Sequence, residues 1–409
     1  MRHATCILLT LFLSLGSSLP TRAAPSSPHP TAISLFWAIE RALAQHPRIR
    51  AKAEAADAAT HHVRTTGLLP DPMAMVTLDR SQSPSDEWMV RLTQSIPFPG
   101  KLIFERKMAH QAANRAKARH LESLVDLRAA VQEAFFTVHF IDQQLAIEQE
   151  NQRLFDHFSA TAEVRYATGD ALFGDPLKAR VEAEAMAARV AELRLTREAV
   201  AEELAYLLDL PSGTPIRLAA PRGPVAPAMT QDDYVAYARA NHPRLRAAAA
   251  AVGEAEAGIG YAKAHFGPDI TTEASYHTMT EAVSGSVGLS FPLYFGRQRG
   301  MVAEARAKWR SEQALEDDLE QQLSAHIRQF YRKMTAARRV ATEYQQSIIP
   351  RADATIRAAE TAYQAKKVEF LTLVDAIREK RDFQIRYWEA RTEYELMRAR
   401  LEQLAGIAQ

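Results

Sequence analysis

The chain has 409 residues, of which 47% are hydrophobic and 24% charged, with 16 glycines and 20 prolines. This length accommodates two ordinary domains or one elongated one, and glycine and proline are too infrequent for a wholly disordered chain. Because 50 basic residues stand against 49 acidic ones, the sequence lacks the positive excess that binds a phosphate backbone, and nucleic acid is not an expected partner.

The first residues of the sequence have the pattern of a secretory signal peptide. A short basic start is followed by an apolar run over residues 7–15 and by small residues around 21–24. We expect residues 1–23 to be removed on export, because the apolar run is too short to cross about 30 Å of hydrocarbon as an anchor. The only cysteine, Cys6, lies inside this segment, so the exported chain would contain neither a disulfide nor a thiolate metal site.

After this segment the sequence contains one large unit twice. Landmarks of the first half return in the second half in the same order and at nearly constant spacing. We therefore expect two structural repeats, residues 24–210 and 231–409, joined over residues 211–230 by a proline-rich connector that excludes a regular helix. The repeated landmarks are His46-Pro47-Arg48 with His242-Pro243-Arg244, Pro70-Asp71 with Pro268-Asp269, Pro97 with Pro292, Tyr166 with Tyr363, and Phe173 with Phe370.

Each repeat is predicted to begin with a helix, over residues 34–66 and 231–265, where alanine is interspersed with Glu, Arg and Lys. Two short strands follow in each repeat. In the second repeat, residues 270–277 and 283–291 alternate between two faces, and in the first repeat residues 88–93 do the same after a shorter strand near 73–79.

A corner then leads from strand to helix in each repeat, where proline ends the strand and glycine relaxes the backbone. Helices of about 65 residues are predicted to follow, from 101 to 166 and from 299 to 363, each about 100 Å long. Their apolar residues recur every three or four positions, the pattern of a coiled-coil seam. Shorter helices over 175–208 and 370–404 are predicted to run back. The corner residues are Pro97, Pro99 and Gly100 in the first repeat and Pro292 and Gly296 in the second.

The four strands fit the wall of a membrane β-barrel, with apolar side chains toward lipid and small or polar ones toward water. No segment after residue 23 is apolar over the length of a transmembrane helix. Four strands are too few for a barrel, and lipid tolerates no open sheet edge, so other copies of the chain must close the edges. The alternative is a soluble pair of β-hairpins packed on the helices.

Four motifs can be compared with known families: H-P-R-[IL]-R, P-D before the strands, Q-S-I-P-F-P-G-K at the first corner, and Y-A-T-G-D-A-L-F-G-D-P-L-K-A-R after the first long helix. Together they resemble the TolC-type outer-membrane efflux family. The F-P-G-K corner is most similar to the cation-efflux branch. The resemblance implies a mainly α protein with a small β part: a homotrimer whose single twelve-stranded barrel, in outer-membrane lipid, continues as an α-helical tunnel through the periplasm. It implies a passive duct that exports metal cations or drugs, without enzymatic activity or cofactor, and whose partners are a periplasmic adaptor and an RND-type inner-membrane pump.

The resemblance also assigns residues at the far end of the tunnel. The first hairpin tip corresponds to Tyr166–Arg180, with Gly169 at the bend and Asp175 as the N-cap of the return helix. The second corresponds to Tyr363–Arg378, where Lys366-Lys367 replaces the usual glycine. The residues expected to contact the adaptor are Gly169, Asp175, Leu177, Phe370 and Val374.

A constriction is expected near the second tip. Relatives narrow the tunnel with two aspartates three positions apart, which correspond here to Thr372 and Asp375. A ring of three Asp375 carboxylates would attract cations, and the alternative is that Asp375 is an ordinary solvated or ion-paired helix residue.

Other functions have weaker support in the sequence. His61 and His62, with Met73, Met75 and Met89, are ligand types for soft metals, but their spacing fits no closed site and no bound metal is expected. No phosphate loop, nucleophile elbow or H-E-x-x-H motif is present, which disfavours an exported enzyme. The main alternative is a periplasmic coiled-coil adaptor or scaffold without a barrel, which leaves the amphipathic strands unexplained.

Overall fold

The computed structural model of the protein describes residues 32–79, 87–168, 174–221, 229–278, 281–365 and 367–407. The predicted signal peptide, the bend at Gly169, and Lys366 lie outside these residues.

The described chain is mainly α-helical with one small sheet, as predicted, and its order of two helices, two strands, one long helix and a return helix occurs twice. The elements of the first half are α1 (Leu35–Gln45), α2 (Pro47–Thr65), β1 (Met73–Asp79), β2 (Glu87–Ile96), α3 (Pro99–Ala167) and α4 (Gly174–Leu207). Those of the second half are α5 (Gln231–Asn241), α6 (Pro243–Ala264), β3 (Asp269–His277), β4 (Ala282–Ser290), α7 (Phe295–Glu343), a π-helical turn (Tyr344–Ile348), α8 (Ile349–Gln364) and α9 (Phe370–Ala405).

The first helix of each repeat is broken in two, which the prediction of single helices over 34–66 and 231–265 missed. The break lies at His46 and at His242, each of which precedes a proline and therefore takes an extended conformation. The Nδ1 atom of each imidazole accepts a hydrogen bond from the N–H two residues later, at 3.2 Å for His46 and 3.0 Å for His242. Each histidine thus ends one helix and caps the next.

The four strands form one antiparallel sheet in the order β1-β2-β3-β4. Pairing of β2 with β3, with Ile96 opposite Ile270 and Leu92 opposite Ala274, joins the hairpin of the first repeat to that of the second. Strands β1 and β4 therefore lie at the two edges of the sheet.

The sheet has one apolar and one polar face, which confirms the predicted alternation. Opposite pairs such as Val76 with Val90 and Tyr276 with Val283 lie on the apolar face. The polar face carries the ion pair of Arg91 with Glu273, at 3.2 Å between Nε and Oε1. Met73, Met75 and Met89 also lie on the polar face, because Met75 is opposite Arg91 and Met89 is opposite His277.

The long helices pack on the return helices along the predicted seams. Helix α3 has 69 residues and is about 100 Å long. Its seam residues Val131, Val138 and Ile141 are buried, as are Leu323, Ile327 and Met334 of α7.

Pro350 does not end the second long helix. In a regular α-helix the proline ring would clash with the backbone carbonyl of the preceding turn. The π-helical turn just before Pro350 widens the backbone there and avoids this clash. Within the described residues, no helix is both long and apolar enough to cross a membrane.

The corner of the first repeat is held by a residue of the second. The Asp269 carboxylate accepts hydrogen bonds from the Lys101 ammonium, at 2.8 and 2.7 Å, and from the Phe98 N–H, at 2.8 Å. A Cβ on Gly100 would lie 2.9 Å from the Phe98 ring and 3.1 Å from the Ala264 Cβ. Gly100 does not have a positive φ, so glycine is required there for close approach and not, as predicted, for conformational freedom. No described atom would lie within 4 Å of a Cβ on Gly296.

We expect Gly100→Val to destabilise the corner by about 1–3 kcal/mol, because the added side chain would overlap the Phe98 ring and Ala264. The measurement is the thermal midpoint and the yield of folded protein in detergent. Gly258→Val is the matched control, since Gly258 lies in the adjoining helix α6 with no described atom within 4 Å of its Cβ position. Equal loss in the two variants would contradict the close-approach role.

Stability should also fall as the pH is lowered, because burial lowers the pKa of His242 to about 4 from 6.5. The unfolded chain then takes up the proton first, so stability is complete above about pH 6.5 and is lost progressively toward pH 4, by on the order of 3 kcal/mol. His242→Asn should flatten this dependence in thermal melts, because asparagine can accept the capping bond without titrating. His61→Asn, at an exposed position, should leave the slope unchanged, and an unaltered slope in His242→Asn would rule out this histidine as its source.

Candidate functional site

The end of the helical body opposite the sheet is where the two helical hairpins meet. A hydrophobic cluster joins all four of their helices, α3, α4, α8 and α9, and fixes the relative position of the two tips. Its buried members are Phe155, Ala179, Ala183, Met186, Ala359, Phe370, Leu373, Val374, Ala376 and Ile377.

The structure brings the described tip residues to this end but exposes them unequally. Leu177 is 56% exposed, whereas Phe370 and Val374 are only 1% and 2% exposed. The Phe370 and Val374 side chains therefore belong to the core of the tip. Of the three apolar residues expected to contact the adaptor, Leu177 is the accessible one. Asp175 lies in the first turn of α4, which begins at Gly174, and is not the predicted N-cap. Its carboxylate is nevertheless well placed against the positive end of the helix dipole.

A polar contact links the two hairpins at the tip. The Tyr363 hydroxyl of α8 donates a long hydrogen bond, 3.5 Å, to Oδ2 of Asp175 in α4. The Arg165 guanidinium of α3 lies 4.8 Å from the centroid of the Tyr363 ring, within the range of a cation–π interaction. Burial and the nearby Asp175 carboxylate raise the pKa of Tyr363, so the phenol remains a neutral donor at physiological pH.

The predicted constriction residues lie on the first two turns of α9. Thr372 is exposed, and the Asp375 side chain is 57% exposed. Oδ1 of Asp375 lies 3.5 Å from Nη1 of Arg378, and the same guanidinium forms a fork onto the buried Glu182 carboxylate of α4, with Nε 3.1 Å from Oε2. One Asp375 oxygen is thus oriented by a group that is itself anchored to the other hairpin.

The Glu182–Arg378 pair could not be predicted from the sequence. The two residues are 196 positions apart, and the sequence around each is that of an ordinary charged helix surface. The i,i+3 spacing of Asp375 and Arg378 was the one available signal, and it does not identify Glu182.

Two further carboxyl groups are buried in the helical body. Burial raises the pKa of Glu148 in α3, and the Arg381 and Arg189 guanidinium groups only partly oppose it. Burial likewise raises the pKa of Glu395 in α9, which lies 3.1 Å from Arg398. Both were absent from the sequence-based candidates because their burial results from packing between helices, which a local pattern does not reveal.

The described part of the chain holds no cluster of three His, Cys, Asp or Glu side chains placed to bind a metal ion. His62 contacts Thr66 in its own segment, at 3.2 Å between Nε2 and Oγ1, and no described contact brings it to the methionines of the sheet.

Sequence comparison identifies relatives of this chain among efflux and resistance proteins. Residues 235–407 match the family described as outer membrane efflux protein. The cobalt-zinc-cadmium resistance protein CzcC of Cupriavidus metallidurans is 22% identical over 393 residues, covering 94% of this chain and 93% of the relative. Protein CyaE of Bordetella pertussis is 27% identical over 254 residues, 56% of this chain and 53% of the relative.

Solved structures with the same fold cover 91% of the chain. The outer-membrane channel OprN aligns with a TM-score of 0.79 at 16% identity over 89% of its length. CusC aligns with a TM-score of 0.79 at 16% identity over 91% of its length. The open state of the MtrE outer membrane channel of Neisseria gonorrhoeae gives 0.79 at 18% identity over 88% of its length. At these identities the likeness establishes the fold.

We expect Arg378→Gln to loosen the tip, because it leaves the buried Glu182 carboxylate without its charged partner, at a cost of about 1–3 kcal/mol. Limited proteolysis and the thermal midpoint in detergent measure the effect. Adding Glu182→Gln should restore part of the loss. Arg180→Gln, which breaks an exposed i,i+4 pair with Glu184, should change neither measurement. Equal protease resistance of Arg378→Gln and the parent protein would exclude the pair from holding the hairpins together.

Proposed function

We propose that this chain, which belongs to the outer membrane efflux protein family, is the outer-membrane channel of a tripartite efflux system. Its fold is that of solved outer-membrane channels over nine-tenths of the chain. In this function the sheet lies in the outer membrane and the helical body extends into the periplasm.

The observation that carries the proposal is the sheet. Its apolar face is exposed in the single chain, with Val283, Val287 and Leu289 all largely accessible, while the other face is polar. A soluble protein would bury such a face, and lipid would cover it. Within the described residues the outer edges of β1 and β4 are unpaired, and each unpaired backbone group in hydrocarbon costs several kcal/mol. Three copies would place twelve strands in one closed barrel and remove every edge.

The helical body extends the duct without a source of energy of its own. Helix α3 leaves the sheet at the first corner, and α7, continued by the π-helical turn and α8, leaves it at the second. Each path runs about 100 Å into the periplasm, so three chains would continue the barrel as a helical tunnel. An RND-type inner-membrane pump would drive the substrate, and a periplasmic adaptor would dock at the tip, where Asp175 and Leu177 are accessible. We assign no catalytic step to any residue.

A periplasmic scaffold is the second candidate, and the exposed apolar sheet face argues against it. Such a scaffold would use the coiled-coil helices but would leave that face in water.

For the substrate class we propose divalent metal cations. The relative that covers almost the whole chain is named for resistance to cobalt, zinc and cadmium. The Asp375 carboxylates of three chains would supply negative charge near the tip, where a passing cation would be drawn in.

The proposed function is tested by the location and mass of the exported protein. We expect it to fractionate with outer membranes, to require detergent, and to have three times the chain mass after correction for bound detergent. A detergent-independent monomer in the periplasmic extract would exclude the barrel and favour the scaffold.

In planar bilayers, Asp375→Asn should shift the reversal potential toward that of a less cation-selective channel, because the substitution removes up to three negative charges from one level of the lumen. The matched control is Asp353→Asn in α8, since Asp353 is already paired with Lys380 at 2.7 Å. Identical ion selectivity in the parent and the Asp375 variant would remove this residue from the constriction.

A further inference from the structure

The two strand-to-helix corners of the chain are built alike. In the first, the Lys101 N–H donates to the Phe98 carbonyl at 2.8 Å, and in the second the Arg297 N–H donates to the Tyr294 carbonyl at 3.1 Å. Phe98 and Tyr294 are the N-cap residues of α3 and α7, and neither uses its side chain as a cap. Lys101 and Arg297 therefore occupy equivalent positions, three residues into the turn.

Among the described residues, only the first corner is closed by a contact within the same chain. Its Lys101 ammonium and Phe98 N–H both donate to Asp269, the residue that opens β3 after Pro268. The equivalent of Asp269 in the first repeat is Asp71, which follows Pro70 just before β1. The aspartate that begins the second β-hairpin thus binds the corner that follows the first β-hairpin.

Within the described part of its own chain, the second corner has no such partner. Among the described residues, neither the Arg297 guanidinium nor the Asp71 carboxylate has an ion pair or hydrogen bond, and both side chains are exposed. They flank β4 and β1, which lie at opposite edges of the sheet and are about 14 Å apart across three strand spacings. A bond within one chain is therefore excluded by the topology.

We propose that Asp71 of one chain closes the corner of a neighbouring copy, accepting hydrogen bonds from the neighbour's Arg297 guanidinium and Tyr294 N–H. The resulting intersubunit clamp, defined by these three residues, repeats the Asp269 contact at each subunit boundary. It rests on the proposed function in one respect, since it requires copies of the chain side by side in one sheet.

The strand-ending prolines predict the register between subunits. In the chain, Ile96, which precedes Pro97, lies opposite Ile270 just after Asp269. Phe291 precedes Pro292 in the same way, although the second corner has one residue more between this proline and the N-cap residue. The same relation therefore sets Phe291 opposite Pro72, and consequently Val287 opposite Val76 and Ser286 opposite Thr77 of the neighbour. In this register apolar residues meet apolar ones and polar residues meet polar ones. A shift by one residue would turn every side chain of the partner strand to the wrong face.

Exposed apolar side chains at the two edges support the same pairing. Leu293 and Tyr294 at the second corner are 76% and 84% exposed, and Leu68 and Leu69 before β1 are also exposed. In the closed corner the corresponding ring, that of Phe98, packs so closely on Gly267 that a Cβ there would lie 2.4 Å away. The clamp would cover both exposed sets at once.

Charges farther along the helices are complementary across the same boundary. Arg50 precedes Asp71 by 21 residues, and Asp317 follows Arg297 by 20, so both lie at about 30 Å from the sheet on α2 and α7. Two further basic residues, Arg48 and Lys52, flank Arg50 on α2. Burial and the neighbouring Asp317 and Glu320 carboxylates raise the pKa of Glu316, and no basic group among the described residues opposes that rise. The neighbour's α2 would supply such a basic group.

Charge reversal tests the clamp in the full-length exported protein, extracted from outer membranes in detergent. Asp71→Arg and Arg297→Asp should each reduce the trimer-to-monomer ratio more than tenfold, because each places like charges at all three boundaries. The double variant should recover most of the trimer. Circular dichroism should show unchanged helix content in all three, since neither side chain has a partner among the described residues of its own chain.

Cysteine cross-linking tests the register independently, because Cys6 is the only cysteine of the sequence and lies in the predicted signal peptide. Residues directly opposite each other in a sheet are within disulfide range. Ser286→Cys with Thr77→Cys should yield a reducible, covalently linked trimer on oxidation. Ser286→Cys with Val76→Cys is the matched control, whose cysteines would point to opposite faces. Arg297→Asp in the first background should reduce the cross-link.

The outcomes separate the clamp from the function. Trimers of unchanged stability in both charge-reversal variants, or equal cross-linking in the two cysteine pairs, would overturn the clamp and leave the channel in place. A parent protein that forms no trimer in detergent would overturn both.

Discussion

Every backbone amide of a strand in hydrocarbon must be paired, and the architecture of this chain follows from that constraint. The described part of one chain contributes four strands and leaves the outer edges of β1 and β4 unpaired, so the sheet is complete only when copies of the chain meet edge to edge. A duplicated unit can meet the requirement for paired edges with one type of contact, because the contact that joins the two hairpins of one chain can also join hairpins of neighbouring chains. The Asp269 carboxylate shows what that contact consists of: a charged side chain and a backbone N–H of the adjoining corner held by one acceptor.

The corners determine how the membrane sheet becomes a helical tunnel. Proline ends the strand and starts the helix, and the aspartate fixes the angle between them by binding both the N-cap residue and a side chain in the first turn. Gly100 is essential to this geometry for steric reasons, since the Phe98 ring and Ala264 approach its Cα. The helices that leave the corners are then long enough to cross an aqueous compartment without further domains.

At the far end, an apolar cluster and a few polar bonds hold the two hairpins together. The buried Phe370 and Val374 belong to the cluster, and the bonds run from Tyr363 to Asp175 and from Arg378 to Glu182. The Tyr363–Asp175 bond is long, whereas the Arg378 pair holds a buried carboxylate. Because the apolar cluster joins all four helices, an opening movement of one hairpin against the other would have to separate part of the cluster as well as break these bonds.

The sequence by itself determined the order, type and approximate length of the elements, because strand alternation, helical periodicity and proline positions are local properties of the chain. It also located both corners and both tips. It did not reveal the breaks at His46 and His242, where a residue that looks helical in composition is forced out by the following proline. The burial of Phe370 and the pairing of Glu182 with Arg378 were decided only by the tertiary structure, since each depends on residues from a helix far away in the sequence. Local patterns carry no information about which distant side chain completes a contact.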